Sequence, residues 1–310
     1  MKKILITGAG GCVGTNVIRY LLSEGKYEIT ALDLKNKKVF KNLNRYRKRV
    51  NIVYGDILDR TLIENLVKNH EIIIHLATCL PPLSDYKYGL ANVIEYEGIE
   101  NIIRAISYYN PKCHLIYAST TSLFKKECFA NDKPEIGNYD FFNEAKYNSE
   151  KLIIKKMKNF TILRLPLILT DLRKDPFIYS IKKDEFVEVI TKEDAAYAFV
   201  SAASKLDILN KKTLNIGGGK TCQDTYENII LNILKYHGLS FNYVFNRLFI
   251  AKNYTSPVLL DSDESNKILN YRNDSLDSYY MRQKRRSKNR KFSKMLSKLL
   301  LKIIKRRKKD

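Results

Sequence analysis

Residues 7–14 read Thr-Gly-Ala-Gly-Gly-Cys-Val-Gly, directly after the apolar run Ile4-Leu5-Ile6. Gly8, Gly11 and Gly14 fall at the spacing G-x-x-G-x-x-G. A strand that stops at glycine and restarts as a helix points several backbone N–H groups at one spot. The positive end of the helix dipole lies there too, so the spot suits a pyrophosphate. Gly8 allows the tight turn, Gly11 the close backbone approach, and Gly14 the packing of helix on strand. The surroundings agree. An amphipathic pattern follows (Val13, Val17, Ile18, Leu21, Leu22), then a second strand at 27–32, then Asp33. Asp33 stands 19 residues past Gly14, close to the ~20 expected for the acid that binds an adenosine ribose.

Short apolar strands continue to alternate with helical patterns. Strands are expected at 3–7, 27–32, 51–54, 71–76, 114–118 and 161–165, with helices near 13–24, 59–69, 88–109 and 143–158. Pro111 closes the fourth helix. Segment 35–50, rich in lysine and asparagine, reads as a loop. This alternation predicts an α/β fold, a Rossmann-like doubly wound parallel sheet with helices on both faces. After Pro166 the pattern loosens. Strands are expected at 187–190 and 213–216, helices at 192–203, 223–237 and 263–269, and a polar linker at 272–279. The expected organisation is a Rossmann domain at 1–170, to which 188–204 returns, a small C-terminal substrate lobe at 171–280, and a tail at 281–310.

Composition narrows the class. The 310 residues are 45% hydrophobic, enough for one large core or two linked ones. Cys12, Cys79, Cys113, Cys128 and Cys222 are odd in number and have no metal-ligand spacing. They read as reduced thiols of a cytosolic protein, and no metal site is expected. The apolar run after Met1-Lys2-Lys3 is too short for a signal peptide, and no run approaches the ~20 residues of a membrane span. The net charge is +22, of which residues 282–310 supply +14 through fifteen Lys/Arg and one acid. Within the tail, Phe292, Met295, Leu296, Leu299, Leu300, Ile303 and Ile304 recur at three and four, one face of a basic amphipathic helix. Such a helix suits an anionic membrane surface. Packing on its own domain or an RNA-binding role are the other readings. Nucleic acid is the least supported, since only Phe292 is available for stacking.

Two further positions carry chemistry. Asp56, in Gly55-Asp56-Ile57-Leu58-Asp59, suits an adenine amino group, or a helix N-cap that Asp59 or Thr61 would serve equally. His75 ends the fourth strand and is either a base or a packed structural histidine.

In order, the chain carries Thr7-Gly8-x-x-Gly11-x-x-Gly14, Asp33, Gly55-Asp56, His75-Leu76-Ala77, Ala118 through Phe124, and Lys146-x-x-x-Glu150. Then come Leu163-Arg164-Leu165-Pro166, Glu193-Asp194-Ala195-Ala196, Leu214 through Gly219, and Asp261-Ser262 through Tyr271. This series, over about 2–275, resembles the extended short-chain dehydrogenase/reductase family, the NAD-dependent nucleotide-sugar epimerases and dehydratases. The resemblance implies NAD as cofactor, a nucleotide-sugar substrate and a homodimer. It implies cofactor contacts from Gly8, Gly11, Cys12, Val13, Gly14, Asp33, Asp56, Ile57, Leu76, Ala77 and Lys146. In such enzymes a tyrosine takes the sugar hydroxyl proton, a lysine four residues later lowers its pKa, and a serine or threonine bonds the reacting oxygen. Thr120 matches the threonine and Lys146 the lysine, but the tyrosine position holds Phe142. Phenylalanine exchanges no proton, so weak or altered catalysis is expected. Tyr139, one helical turn earlier, is the candidate replacement. Between Pro166 and Val187, where the stretch is short for the family, Arg173, Lys174, Lys182 and Lys183 are candidate diphosphate partners. The resemblance leaves two readings open: an enzyme on a nucleotide sugar, or an inactive NAD-binding subunit held at the membrane by its tail.

Overall fold

A computed structural model describes residues 1–80, 84, 89–136, 140–170, 181–236 and 254–288. Its centre is a seven-stranded sheet in the order β3-β2-β1-β4-β5-β6-β9, every pair parallel. The strands are β1 (Lys2–Thr7), β2 (Tyr27–Asp33), β3 (Asn51–Tyr54), β4 (Ile72–His75), β5 (His114–Thr120), β6 (Phe160–Leu165) and β9 (Lys212–Asn215). Order reverses between β1 and β4, the switch point at which open α/β sheets bind ligands.

Side chains alternate along each strand, so neighbouring residues serve opposite cores. Ile4, Ile6, Ile72, Ile74 and Ile116 pack on one face with the helices Gly14–Glu24 and Lys192–Ser204. Leu5, Ile73, Leu115, Tyr117 and Ile162 pack on the other with Arg60–Val67, Gly98–Tyr109 and Phe141–Lys156. Both faces are covered, which is why the strands are continuously apolar.

A second, three-stranded sheet in the order β10-β8-β7 is built from β7 (Leu167–Leu169), β8 (Phe186–Thr191) and β10 (Gln223–Thr225). The helices Tyr226–Tyr236 and Leu276–Lys288 pack together beside it around Ile229, Ile233 and Tyr280. The chain crosses between the two bodies more often than a cut at 170 implies. Helix Lys192–Ser204 lies on the large sheet, strand β9 belongs to that sheet, and β8 belongs to the small one.

Three expectations are corrected. Segment 35–50 contains the helix Lys37–Leu43, capped by Asn36, whose side chain accepts from Lys38 N and Val39 N. Its buried pair, Val39 and Leu43, is four apart among polar residues. Residues 223–225 form strand β10, and the helix expected from 223 begins at Tyr226. The stretch 272–279 is not a linker. Leu276, Tyr279, Tyr280 and Gln283 are buried at helical spacing, and Arg282 makes a two-pronged ion pair with Asp274. The helix therefore runs through the expected tail boundary at 281. The apolar stripe from Phe292 to Ile304 lies outside the described residues, as do Tyr139, Arg173 and Lys174.

Candidate cofactor and active site

Strand β1 ends in the glycine loop. Gly8 sits at φ +66°, and a Cβ there would meet Ala77 N at 2.6 Å. A Cβ on Gly14 would meet Gly8 O at 2.6 Å. The loop closes with Gly11 N donating to Gly8 O at 3.0 Å. Helix Gly14–Glu24 then starts behind Val13, whose side chain supplies no cap bond. Cys12 is exposed and Val13 buried at this turn. The first amides of the helix thus lie beside glycines against which backbone packs too closely for any Cβ, and a tight glycine turn leading into a helix N-terminus fits a dinucleotide pyrophosphate.

Asp33 ends β2 facing that loop. Its carboxylate accepts from Gly10 N at 2.8 Å and Leu34 N at 2.8 Å. Burial raises its pKa above the usual carboxylate value, against the pull of those amides and of Lys38. Asp56 is half-buried after β3 and accepts from Leu58 N at 3.0 Å. Asp59, not Asp56, caps the next helix. Ile57 is buried, whereas Leu76 and Ala77 are half-buried beside Gly8 at the end of β4.

His75 is a packed residue. It is fully buried, its Nδ1 lies 2.7 Å from Thr7 Oγ1, and its ring stacks on Tyr117 at 5.8 Å. Burial, helped by nearby Lys146, pushes its pKa down to about 3, so it is neutral at ordinary pH. That settles the choice between base and structural histidine in favour of the second.

Helix Phe141–Lys156 brings the remaining candidates together. Asp140 caps it, Phe142 lies in its first turn, and Lys146 lies one turn on. Phe142 is 3% exposed and belongs to the core of the small lobe, edge-on to Tyr254 with ring centroids 6.4 Å apart. The Lys146 Nζ lies 6.0 Å from the Phe142 ring and 4.8 Å from the Tyr117 ring. It donates to Ala118 O at 2.9 Å and pairs with Glu95 Oε2 at 2.8 Å. Tyr147 turns aside, toward Leu123, Phe124 and Leu259.

Thr120, at the end of β5, sits in a directional network. The Asn143 amide donates to Ser122 O at 2.8 Å and to Asp140 Oδ2 at 2.7 Å. Both acceptors are oxygens, so the amide orientation is fixed and its Oδ1 must accept. Ser122 Oγ donates to that Oδ1. Thr120 Oγ1, 2.9 Å from Ser122 Oγ, therefore donates to Ser122 and accepts the Ser122 N–H at 3.2 Å. Its lone pair remains available to a substrate hydroxyl, but its proton is already committed. Lys125, 3.5 Å from Asp140 Oδ2, balances the carboxylate at the end of the chain.

Four of these residues were not among the sequence candidates: Glu95, Ser122, Asp140 and Asn143. Glu95 alone had a periodic signal. It falls with Ala91, Gly98 and Ile102 on a buried face at helical spacing. Among the described residues no group of His, Cys, Asp and Glu is placed to hold a metal ion, and no helix is long and apolar enough to cross a membrane. Lys182 is exposed and Lys183 half-buried at the edge of the small lobe.

Known proteins share this fold. Among solved structures, the chain overlays UDP-glucuronic acid 4-epimerase from Bacillus cereus, in complex with UDP-glucuronic acid and NAD. The TM-score is 0.74 and the identity 18%, covering 91% of this chain and 99% of that one. It also overlays dTDP-glucose 4,6-dehydratase from Bacillus anthracis, in complex with NAD, with TM-score 0.74 and 13% identity, covering 92% and 96%. By sequence it is 29% identical over 161 residues to ADP-L-glycero-D-manno-heptose-6-epimerase of Brachyspira hyodysenteriae, covering 50% of this chain and 49% of that protein. It is 26% identical over 185 residues to UDP-glucose 4-epimerase of Yersinia enterocolitica, covering 55% and 52%. These sequence matches span about half the length of either relative. The model of the NAD dependent epimerase/dehydratase family matches residues 4–170, more than half of the chain. With the glycine cradle, Asp33 and the Lys146 helix in place, the chain belongs to the NAD-dependent epimerase/dehydratase family.

Proposed function

We propose that the protein holds NAD in the Gly8–Gly14 cradle and acts on a nucleotide-linked sugar, with weak or altered catalysis. The reading of weak or altered catalysis is supported by Phe142, which the sequence resemblance aligns with the family's tyrosine and which is buried with its ring 6.0 Å from the Lys146 ammonium. Bound NAD supplies the hydride acceptor. Asp33 receives the adenosine ribose, and Lys146 the nicotinamide ribose. Thr120 accepts a hydrogen bond from the sugar hydroxyl. Tyr139 stays a candidate base on sequence spacing alone. The relatives named above act on UDP-glucose, UDP-glucuronic acid, dTDP-glucose and an ADP-linked heptose, which defines the assay panel. Incubation with each of the four, followed by mass spectrometry of sugar and retained cofactor, tests the reading. Failure to bind or convert any of them overturns it.

A second reading, an NAD-binding subunit without catalysis, is favoured by the committed Thr120 proton and the buried Glu95 partner of Lys146. The panel separates the two: binding without conversion selects the second.

NAD is expected to bind at least ~10-fold more tightly than NADP, about 1.4 kcal/mol. The Asp33 carboxylate, already bound to Gly10 N, would repel a 2′-phosphate. Lys38, which acts on Asp33, opposes this. Calorimetric titration with both dinucleotides decides, and tighter NADP binding refutes the assignment.

We further propose a cytoplasmic protein whose basic tail rests on anionic membrane. The helix through Lys288 belongs to the fold, so the informative truncation falls after Lys288. Full-length protein is expected to co-sediment with anionic vesicles at low salt and the truncated form to stay in solution. Equal sedimentation would contradict this.

A further inference from the structure

Glu95 is a buried carboxylate with no part in the family pattern traced above. It lies on the π-helical segment Asn92–Glu97 that runs into helix Gly98–Tyr109. Its side chain is fully buried, and that of Lys146 is 4% exposed. Glu95 Oε1 accepts from Thr78 Oγ1 at 2.5 Å and from Cys79 N at 2.6 Å, both on the segment after β4. Glu95 Oε2 lies 2.8 Å from Lys146 Nζ. One carboxylate therefore joins three elements: the end of β4, the π segment and the helix of Lys146.

The Lys146 ammonium donates to Ala118 O and forms a buried ion pair with Glu95. In a site without the phenol, the amine of Lys146 would be the obvious substitute base, since burial alone lowers a lysine pKa by up to ~3–5 units. Glu95 opposes that. We propose that Glu95 is a positioning residue: it fixes Lys146 as a charged hydrogen-bond donor for the dinucleotide and withdraws it from service as a base. This rests on the NAD reading above.

Glu95 outweighs the other groups that face Lys146. His75, from β4, is neutral, its pKa pushed down to about 3. Tyr117, from β5, has its phenol pushed up to about 12 by burial and is neutral too. Glu150, on the same helix, is engaged by Arg164 through two bonds of 2.9 and 2.6 Å. Lys146 itself is driven down by burial but carried up to about 12 by Glu95 and, less, by Tyr117.

The test is the pH profile of NAD binding by calorimetry between pH 7 and 9.5, for wild type, Glu95→Gln and Glu95→Asp. Wild type and Glu95→Asp are expected to change less than threefold. Glu95→Gln is expected to lose roughly tenfold or more across the window, as its unpaired, buried lysine gives up its proton. A purely structural role would weaken binding by the same factor at every pH. Parallel profiles for wild type and Glu95→Gln overturn the proposal. Nitrogen NMR of the Lys146 Nζ in unliganded wild type supplies a readout that needs neither variant nor cofactor. It is expected to remain an ammonium at pH 9.5, and deprotonation within the window overturns the proposal. Failure of wild type to bind NAD at any pH counts against the NAD reading alone, and the NMR result then decides the role of Glu95.

Discussion

Phe142→Tyr is expected to raise sugar-dependent NAD reduction by about 10²-fold, the lower end of the ~10²–10⁴ range for a positioned acid–base group. The wild-type ring is already in place, 6.0 Å from the Lys146 ammonium and edge-on to Tyr254. The substitution adds one hydroxyl to a ring that is otherwise unchanged. A phenol titrates near ~10 and works as a base near neutrality only beside a cation. Lys146 is that cation, but Glu95 already neutralises much of its field, which is why the gain is placed low in the range. Thr120 limits it further, because its proton is committed to Ser122. The measurement is turnover of the four nucleotide sugars by wild type and variant, with unfolding curves and NAD affinity taken in parallel. A variant that folds and holds NAD like wild type, yet turns over no faster, would show that Phe142 does not occupy the proton-transfer position.

The glycine loop, Asp33 and the first six strands were legible in the sequence because each is a local signal. A strand end, a turn that tolerates no Cβ and an acid about 20 residues on need no knowledge of the rest of the chain. Two helices were missed where polar composition hid a short apolar spacing. Val39 and Leu43 stand among lysines and asparagines, and Tyr279, Tyr280 and Gln283 stand among arginines and serines. The spacing was present in both, and composition was the wrong guide to it. Glu95 was hidden differently. It is one of three acids in the 95–100 stretch, and only the helix register decides which is buried. The Thr120–Ser122–Asn143–Asp140 network was not legible at all, because it joins the end of β5 to the start of a helix about 20 residues later. At position 142 the sequence resemblance expects a tyrosine, and the chain has phenylalanine. The membership of Phe142 in the small lobe's core is a tertiary fact.

Arg164→Met is expected to destabilise the fold by ~3–5 kcal/mol, the cost of leaving a buried carboxylate without its partner. Arg164 on β6 grips Glu150 through two bonds, 2.9 Å from Nε and 2.6 Å from Nη2, with both side chains almost wholly buried. Its Nη1 donates to Ala130 O at 2.8 Å, and its guanidinium lies 5.1 Å from the Phe124 ring centroid. One side chain thereby ties three pieces to the central sheet: the helix of Phe142 and Lys146, the loop at 130, and the aromatic after Thr120. The loss should come mainly from the orphaned Glu150 rather than from lost packing, since methionine fills much of the same volume. The double variant Arg164→Met/Glu150→Met removes the stranded charge and is expected to recover most of the stability, because a buried ion pair replaced by apolar residues is often nearly neutral. Chemical denaturation of the two singles and the double gives the coupling directly. A single variant within about 1 kcal/mol of wild type, or a double no more stable than Arg164→Met, would show that this pair is not what holds the helix Phe141–Lys156 against β6.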